Sequence, residues 1–204
     1  PLLQAFYGIK DDGVTTVNMN RSELVAQTIE VEGTLFGFNI RVTSDNSDSS
    51  KTKGWYMKLQ TPSSNGLGER VVNEAVLRGD RVIFTTLIPD SVPCSYGGKS
   101  WLMELEAETG KRLANSPFDL NNDGVFNDTD KATLIDTDSD GANDLTSVSG
   151  VQVADMGIME NPAVLDKGSD EVKILSGSNN TVSATALGES KDSSDGRQSW
   201  QQLQ

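Results

Sequence analysis

The densest chemistry in the chain lies in one stretch of twelve residues. Asp119, Asn121 and Asp123 alternate, Gly124 follows, and the stretch closes at Asp130. A hard cation such as calcium takes six to eight oxygen ligands. A tight loop supplies them from side chains at positions 1, 3 and 5 and a carbonyl at position 7, with glycine at 6 for the sharp turn. Val125 holds the carbonyl position, Phe126 after it offers an apolar anchor, and Asn127 stands at position 9. Asp130 sits at position 12, where glutamate is usual, so the shorter side chain has less reach for bidentate closure. A second run repeats the spacing with Asp136, Asp138, Asp140 and Gly141, then Ala142 at the carbonyl position and Asp144 placed to close the loop. The expectation is one or two Ca2+ ions. Magnesium demands a stricter octahedron than such loops give. A catalytic carboxylate pair is not needed to explain the spacing, and a metal-free acidic linker is the competing reading.

Residues 119–144 hold eight aspartates against the single Lys131, a net charge of −7 out of −13 for the whole chain. Such a cluster repels itself unless a cation or solvent screens it. Histidine is absent, which excludes a Ser-His-Asp triad, a histidine base and His-ligated zinc or haem. The lone Cys94 excludes an internal disulfide and a CxxC pair. It reads either as a small buried residue or as half of a disulfide to a segment outside the chain. The acidic balance argues against nucleic acid, and no apolar run approaches the 18 or so residues of a membrane span. An enzyme is not expected. The opening Pro1-Leu2-Leu3-Gln4-Ala5 is neither an initiator methionine nor a signal peptide, so the chain reads as a mature piece of something longer.

The elements around these loops read as short strands. Residues 2–9 and 54–59 are strand-like. The stretch 71–77, the turn Arg78-Gly79-Asp80 and the stretch 81–87 read as a hairpin. Residues 101–105 alternate before an Ala107-Glu108-Thr109-Gly110 turn into 111–114. After the acidic insert, at about 117–148, strands are expected over 158–165, 171–176, 181–187 and 197–203. Asn20-Arg21-Ser22-Glu23 is a capping-box pattern opening a short helix to about Thr28, and a helical turn is expected over 131–134. Polar loops are expected over 44–53 and 188–196. Serial four-strand units suggest propeller blades, packed by Trp55, Trp101 and Trp200. Arg78-Gly79-Asp80 carries two readings. On an exposed turn it is an integrin-recognition tripeptide, and between two strands its composition is that of a plain hairpin turn.

Several stretches together resemble a known family. They are Lys53-Gly-Trp-Tyr-Met-Lys-Leu59, Gly68-Glu-Arg-Val-Val72, residues 81–89, Pro93-Cys94, Gly98-Lys-Ser-Trp-Leu-Met-Glu-Leu105, Ser116-Pro-Phe-Asp-Leu-Asn-Asn-Asp-Gly124 and Gly196-Arg-Gln-Ser-Trp200. In order and over nearly the whole chain, they resemble the C-terminal domain of the PilC/PilY family of type IV pilus biogenesis factors and tip-associated adhesins. The resemblance implies an all-β fold: the last part of a modified β-propeller with quinoprotein-like blades and a calcium-binding loop insertion, its remaining blades supplied from outside the chain. The run Asp136 to Asp144 looks like an addition to the family's pattern. Implied partners are type IV pilins or minor pilins, a host-cell receptor and the rest of the propeller. The implied location is extracellular or cell-surface at the pilus tip, or else periplasmic or outer-membrane associated. Two further readings are a dockerin-like calcium-dependent interaction module and a quinoprotein-like enzyme fragment.

Overall fold

The computed structural model describes residues 3–11, 13, 20–61, 67–90, 92, 97–168, 170–179 and 185–190. In chain order its strands are β1 (Ala5–Ile9), β2 (Val25–Gln27), β3 (Ile29–Leu35), β4 (Phe38–Thr43), β5 (Gly54–Lys58), β6 (Arg70–Val71), β7 (Val76–Arg78) and β8 (Arg81–Pro89). They continue with β9 (Gly98–Glu106), β10 (Phe118–Asp119), β11 (Ala132–Ile135), β12 (Asp144–Thr146), β13 (Gly150–Gln152), β14 (Ala163–Asp166), β15 (Asp170–Leu175) and β16 (Thr185–Ser190).

The β8–β9 ladder is the centre. It pairs antiparallel from Arg81↔Glu106 to Pro89↔Gly98. Successive side chains of a strand point to opposite faces, and here both faces are buried. Ile83 and Leu102 join one core with Ile40, Val42, Phe118, Leu120, Val151 and Leu175. Val82, Phe84, Trp101, Met103 and Leu105 join the other with Trp55 and Met57. The ladder lies within a seven-stranded sheet, in the order β3-β4-β13-β9-β8-β6 with β7 also paired to β8. The small sheet β1-β5-β2 contributes Phe6, Val25, Trp55 and Met57 to the second core. Phe118 of β10 and Leu175 of β15, in the sheet β10-β16-β15-β14, and Ala132 of the β11-β12 hairpin enter the first.

Charge is buried between layers. Glu104 accepts from Arg81 Nη1 at 2.9 Å and from the fully buried Lys173 of β15. Arg41 makes a bidentate pair with Glu69, at 2.5 and 2.8 Å, while its Nε reaches Glu32 at 2.8 Å. Its guanidinium lies 4.0 Å from the Trp101 ring centroid.

Several expectations are corrected. The helix from Asn20 is a single 3-10 turn, Arg21–Glu23, in which Glu23 accepts from the Asn20 N–H at 2.7 Å; β2 follows at once. The capping residues are present, but Val25 and Gln27 are drawn into parallel pairing with β5. The helical turn expected over 131–134 falls earlier, at Asp128–Asp130, and Ala132–Ile135 is a strand paired with β12. The stretch 71–77 divides into β6 and β7, and 111–114 forms no strand. Of 158–165 only the last residues are strand, with Met159 in an isolated bridge to Gly177. The expected four-strand unit over 71–114 is part of the seven-stranded sheet, and no closed propeller forms among the described residues. Residues 188–190, expected as the start of a polar loop, instead complete β16; Cys94, Trp200, the expected strand at 197–203 and the rest of the polar stretch to 196 lie outside the described residues.

The β3–β4 hairpin is an element the sequence reading passed over. Its two-residue loop, Phe36-Gly37, has φ of 49° and 86°. Two positive φ values are what a type I′ turn requires, normally met by Asn-Gly.

Glu104→Gln removes the carboxylate that two buried cations share. Breaking a buried pair from one side costs about 3–5 kcal/mol. Urea unfolding should show a loss of that size, and Lys173→Met added to Glu104→Gln should recover part of it.

Candidate functional site

The first acidic loop leaves the core at β10 and returns to it at β11. Phe118 and Leu120 anchor its entry and Ala132 its exit. Phe126, expected as the anchor, is only half-buried. Asp119 stays nearly buried, and its two carboxylate oxygens accept from the N–H groups of Asp123 at 3.1 Å and Gly124 at 2.9 Å. Asn121 Oδ1 accepts from Asp123 N–H at 3.0 Å, and Asp123 Oδ1 from Val125 N–H at 2.8 Å. Gly124, at φ 78°, supplies the left-handed turn. Asn127 Oδ1 caps the 3-10 turn through Thr129 N–H at 2.7 Å. Asp130 is fully buried and ties the loop's ends, accepting from Leu120 N–H at 2.9 Å and Asn127 N–H at 3.2 Å.

The second loop crosses the tip of the β11-β12 hairpin and is exposed. Oxygens of Asp136, Asp138 and Asp144 lie within 4.8 Å of one another, and no other such cluster of three acidic side chains is present among the described residues. Asp140 stands outside it, its Oδ1 accepting from Ala142 N–H at 2.8 Å. Asp136 accepts from Ser139 N–H at 2.6 Å and Gly141 N–H at 2.9 Å. Thr137 donates to Asp144 from both hydroxyl and backbone N–H and holds that carboxyl below its ordinary value.

The oxygen donors are of the kind a hard cation takes, but only the second loop brings three carboxylates within 4.8 Å of one another; Asp119, Asp123 and Asp130 of the first are not brought together in that way. Each loop offers only oxygen, and the first carries three carboxylates, Asp119, Asp123 and Asp130, against no base within the turn; Asp128 is paired with Lys131 at 2.9 Å. Amide hydrogen bonds leave each carboxylate oxygen a further lone pair. Neither loop leads into a helix, unlike the loop-helix units of a dockerin-like module.

Some residues bordering the loops were not singled out from sequence. Lys167, Asp170 and Glu171 line a pocket of about 370 Å³ with Asp119 and Asp123. They arrive from a turn some fifty residues on, so no local spacing marks them. Glu171 also accepts from Arg78 Nε at 2.9 and 2.7 Å. Arg78-Gly79-Asp80 thus forms the β7-β8 turn, with Gly79 at φ 59° and the Asp80 carbonyl accepting from Ala107 N–H at 2.7 Å.

No protein-family model matches the chain. A type IV pilus biogenesis factor PilY1 homolog of Xylella fastidiosa is 37% identical over 123 residues, covering 60% of this chain and 10% of the relative. PilY1 of Pseudomonas aeruginosa is 29% identical over 141 residues, covering 60% of this chain and 12% of the relative. The crystal structure of the P. aeruginosa PilY1 C-terminal domain superposes with a TM-score of 0.71 and 20% identity, over 92% of this chain and 37% of that one. The chain is therefore homologous to PilY1 proteins, and the resemblance to the PilC/PilY C-terminal domain is borne out. The matches span about a tenth of the curated relatives' length.

Thr137 depresses the Asp144 pKa, so this contact contributes while Asp144 is ionised and is lost as pH falls through its lowered value. In chelator-treated protein, carboxyl NMR titration should place Asp144 below an ordinary aspartate. Thr137→Val should move it back up.

Proposed function

We propose that the chain is a calcium-binding part of a surface protein that acts in type IV pilus biogenesis. The observation that carries the pilus role is the similarity to PilY1 proteins, in sequence over 60% of the chain and in fold over 92%. The two oxygen-only loops support the metal. Calcium at Asp119, Asn121, Asp123, Val125, Asn127 and Asp130 would neutralise the charge that the loop holds together, and Asp136, Asp138 and Asp144 would hold a second ion. Because an ion that binds only the folded loop stabilises it, occupancy would fix the surface shown to pilins or minor pilins. Adhesion to a host-cell receptor belongs to the same reading, but not through Arg78-Gly79-Asp80: Glu171 holds the Arg78 guanidinium, which favours the plain hairpin turn. The work would take place at the cell surface or in the periplasm, through binding and assembly.

Calorimetric titration of chelator-stripped protein tests the metal. Saturable binding is expected with Kd of about 0.1–1 mM, the range of extracellular calcium modules. Asp123→Ala should remove the first site and Asp138→Ala the second. No heat up to millimolar calcium would overturn the metal reading. Pilus counts in cells carrying Asp123→Ala then test the role, and full piliation at saturating calcium would reject it.

A further inference from the structure

Two reactive side chains meet in the interior, away from both acidic loops. Glu104 of β9 and Lys173 of β15 are each 0% exposed. They stand 69 residues apart in the chain, and Lys173 Nζ donates to Glu104 Oε2. Their surroundings are apolar. Leu102 and Leu175, two residues along on the same faces, are fully buried. So is Phe118, whose ring centroid lies 5.5 Å from Lys173 Nζ. Ile83 is the residue opposite Glu104 in the β8–β9 ladder. The second carboxylate oxygen, Oε1, accepts from Arg81 Nη1 at 2.9 Å.

Stability alone is a weak reason for this arrangement. A buried ion pair is often no better than well-packed apolar residues in its place. The same groups in the same order do fit a reaction: an amine, a carboxyl carbon beside it, and a cationic donor on the far oxygen. The fold holds the first two together, which replaces a bimolecular encounter with an intramolecular one.

We propose that Lys173 and Glu104 condense to an amide that cross-links β15 to β9. The proton in the bond between them passes to Oε2, which removes two buried charges at once. The amine, a nucleophile in a desolvated apolar site, forms the Nζ–Cδ bond, and the C=O electron pair moves to Oε1. Arg81 stabilises that oxyanion. A second amine proton passes to Oε2, the Cδ–Oε2 bond breaks, and Oε2 leaves as water while the C=O bond to Oε1 re-forms. One amide and one water result, with no oxidant or co-reactant. The ion pair of the folded chain is the reactant state. The ring so closed runs from residue 104 to residue 173 and contains both acidic loops. Tension on the chain outside the ring would pass through the cross-link and bypass the loops, and the ring would restrict the unfolded chain as a disulfide does. The inference is independent of the metal and of the pilus role.

The test is a tryptic digest of the purified, folded protein, denatured just before digestion and read by mass spectrometry. Trypsin does not cut after an acylated lysine. The expected product joins residues 100–111 to residues 168–191 and is lighter by one water than the two peptides together. Its fragment ions should place the bond between Glu104 and Lys173, not at Glu106 or Glu108. Lys173→Arg keeps the cation but has no amine to acylate, and its digest should release residues 100–111 free. Lys173→Met should do the same. The wild-type digest decides the matter whether or not either variant folds. The proposal is overturned if that digest yields residues 100–111 and 168–173 as free peptides with no branched product, which would leave the pair as an ion pair only. It is overturned equally if the branch maps to any other two residues.

Discussion

Everything in this fold depends on the β8–β9 ladder being buried on both faces. A strand with one wet face alternates apolar and polar residues. Here Val82, Ile83 and Phe84 run consecutively, as do Trp101, Leu102 and Met103, and all six are buried. Such a pair needs a layer on each side, and that need places the small sheet on one face and β10, β11 and β15 on the other. The first candidate site is a consequence: the acidic loop begins where β10 has delivered Phe118 to the core.

The cost of two buried faces is that polar side chains in the ladder have no water to turn to. Arg81 and Glu104 occupy positions equivalent to Ile83 and Leu102, facing the first core's layer. They are accommodated because β15 presents Lys173 there, with Leu175 continuing the apolar contact. The layer over this face is thus oriented by charge as well as by apolar burial. Glu171, two residues earlier on the same side of β15, extends the pattern to Arg78 at the turn.

What could be read from the sequence follows from how local the signal is. Consecutive apolar residues and the Arg78-Gly79-Asp80 turn give β8, and the apolar stretch from Trp101 gives β9, although it runs three apolar residues together where alternation was expected. Both loops are legible because a metal-loop pattern is a matter of spacing within a dozen residues. The β3–β4 hairpin was not, because Phe36 occupies a left-handed position that sequence signals reserve for Asn or Gly. The helix expected from Asn20 failed for a non-local reason: parallel pairing with β5 outweighs a sound N-cap. The division into four-strand blades failed because β13, three residues long and distant in sequence, inserts between β4 and β9 and joins them into one sheet.

The two acidic loops differ in what a bound cation could act upon. Asp119 and Asp130 are buried beside Phe118, Leu120 and Ala132, so an ion there would hold together two stretches that the first core already fixes. Its binding energy would be linked to global stability. Asp136, Asp138 and Asp144 sit at the end of a two-stranded hairpin, joined to the core only through the strands below them. An ion there would order the tip and little else. On the proposed reading the same donor chemistry would serve two separate ends, an ion in the first loop adding to the stability of the fold and one in the second ordering the surface that the hairpin presents.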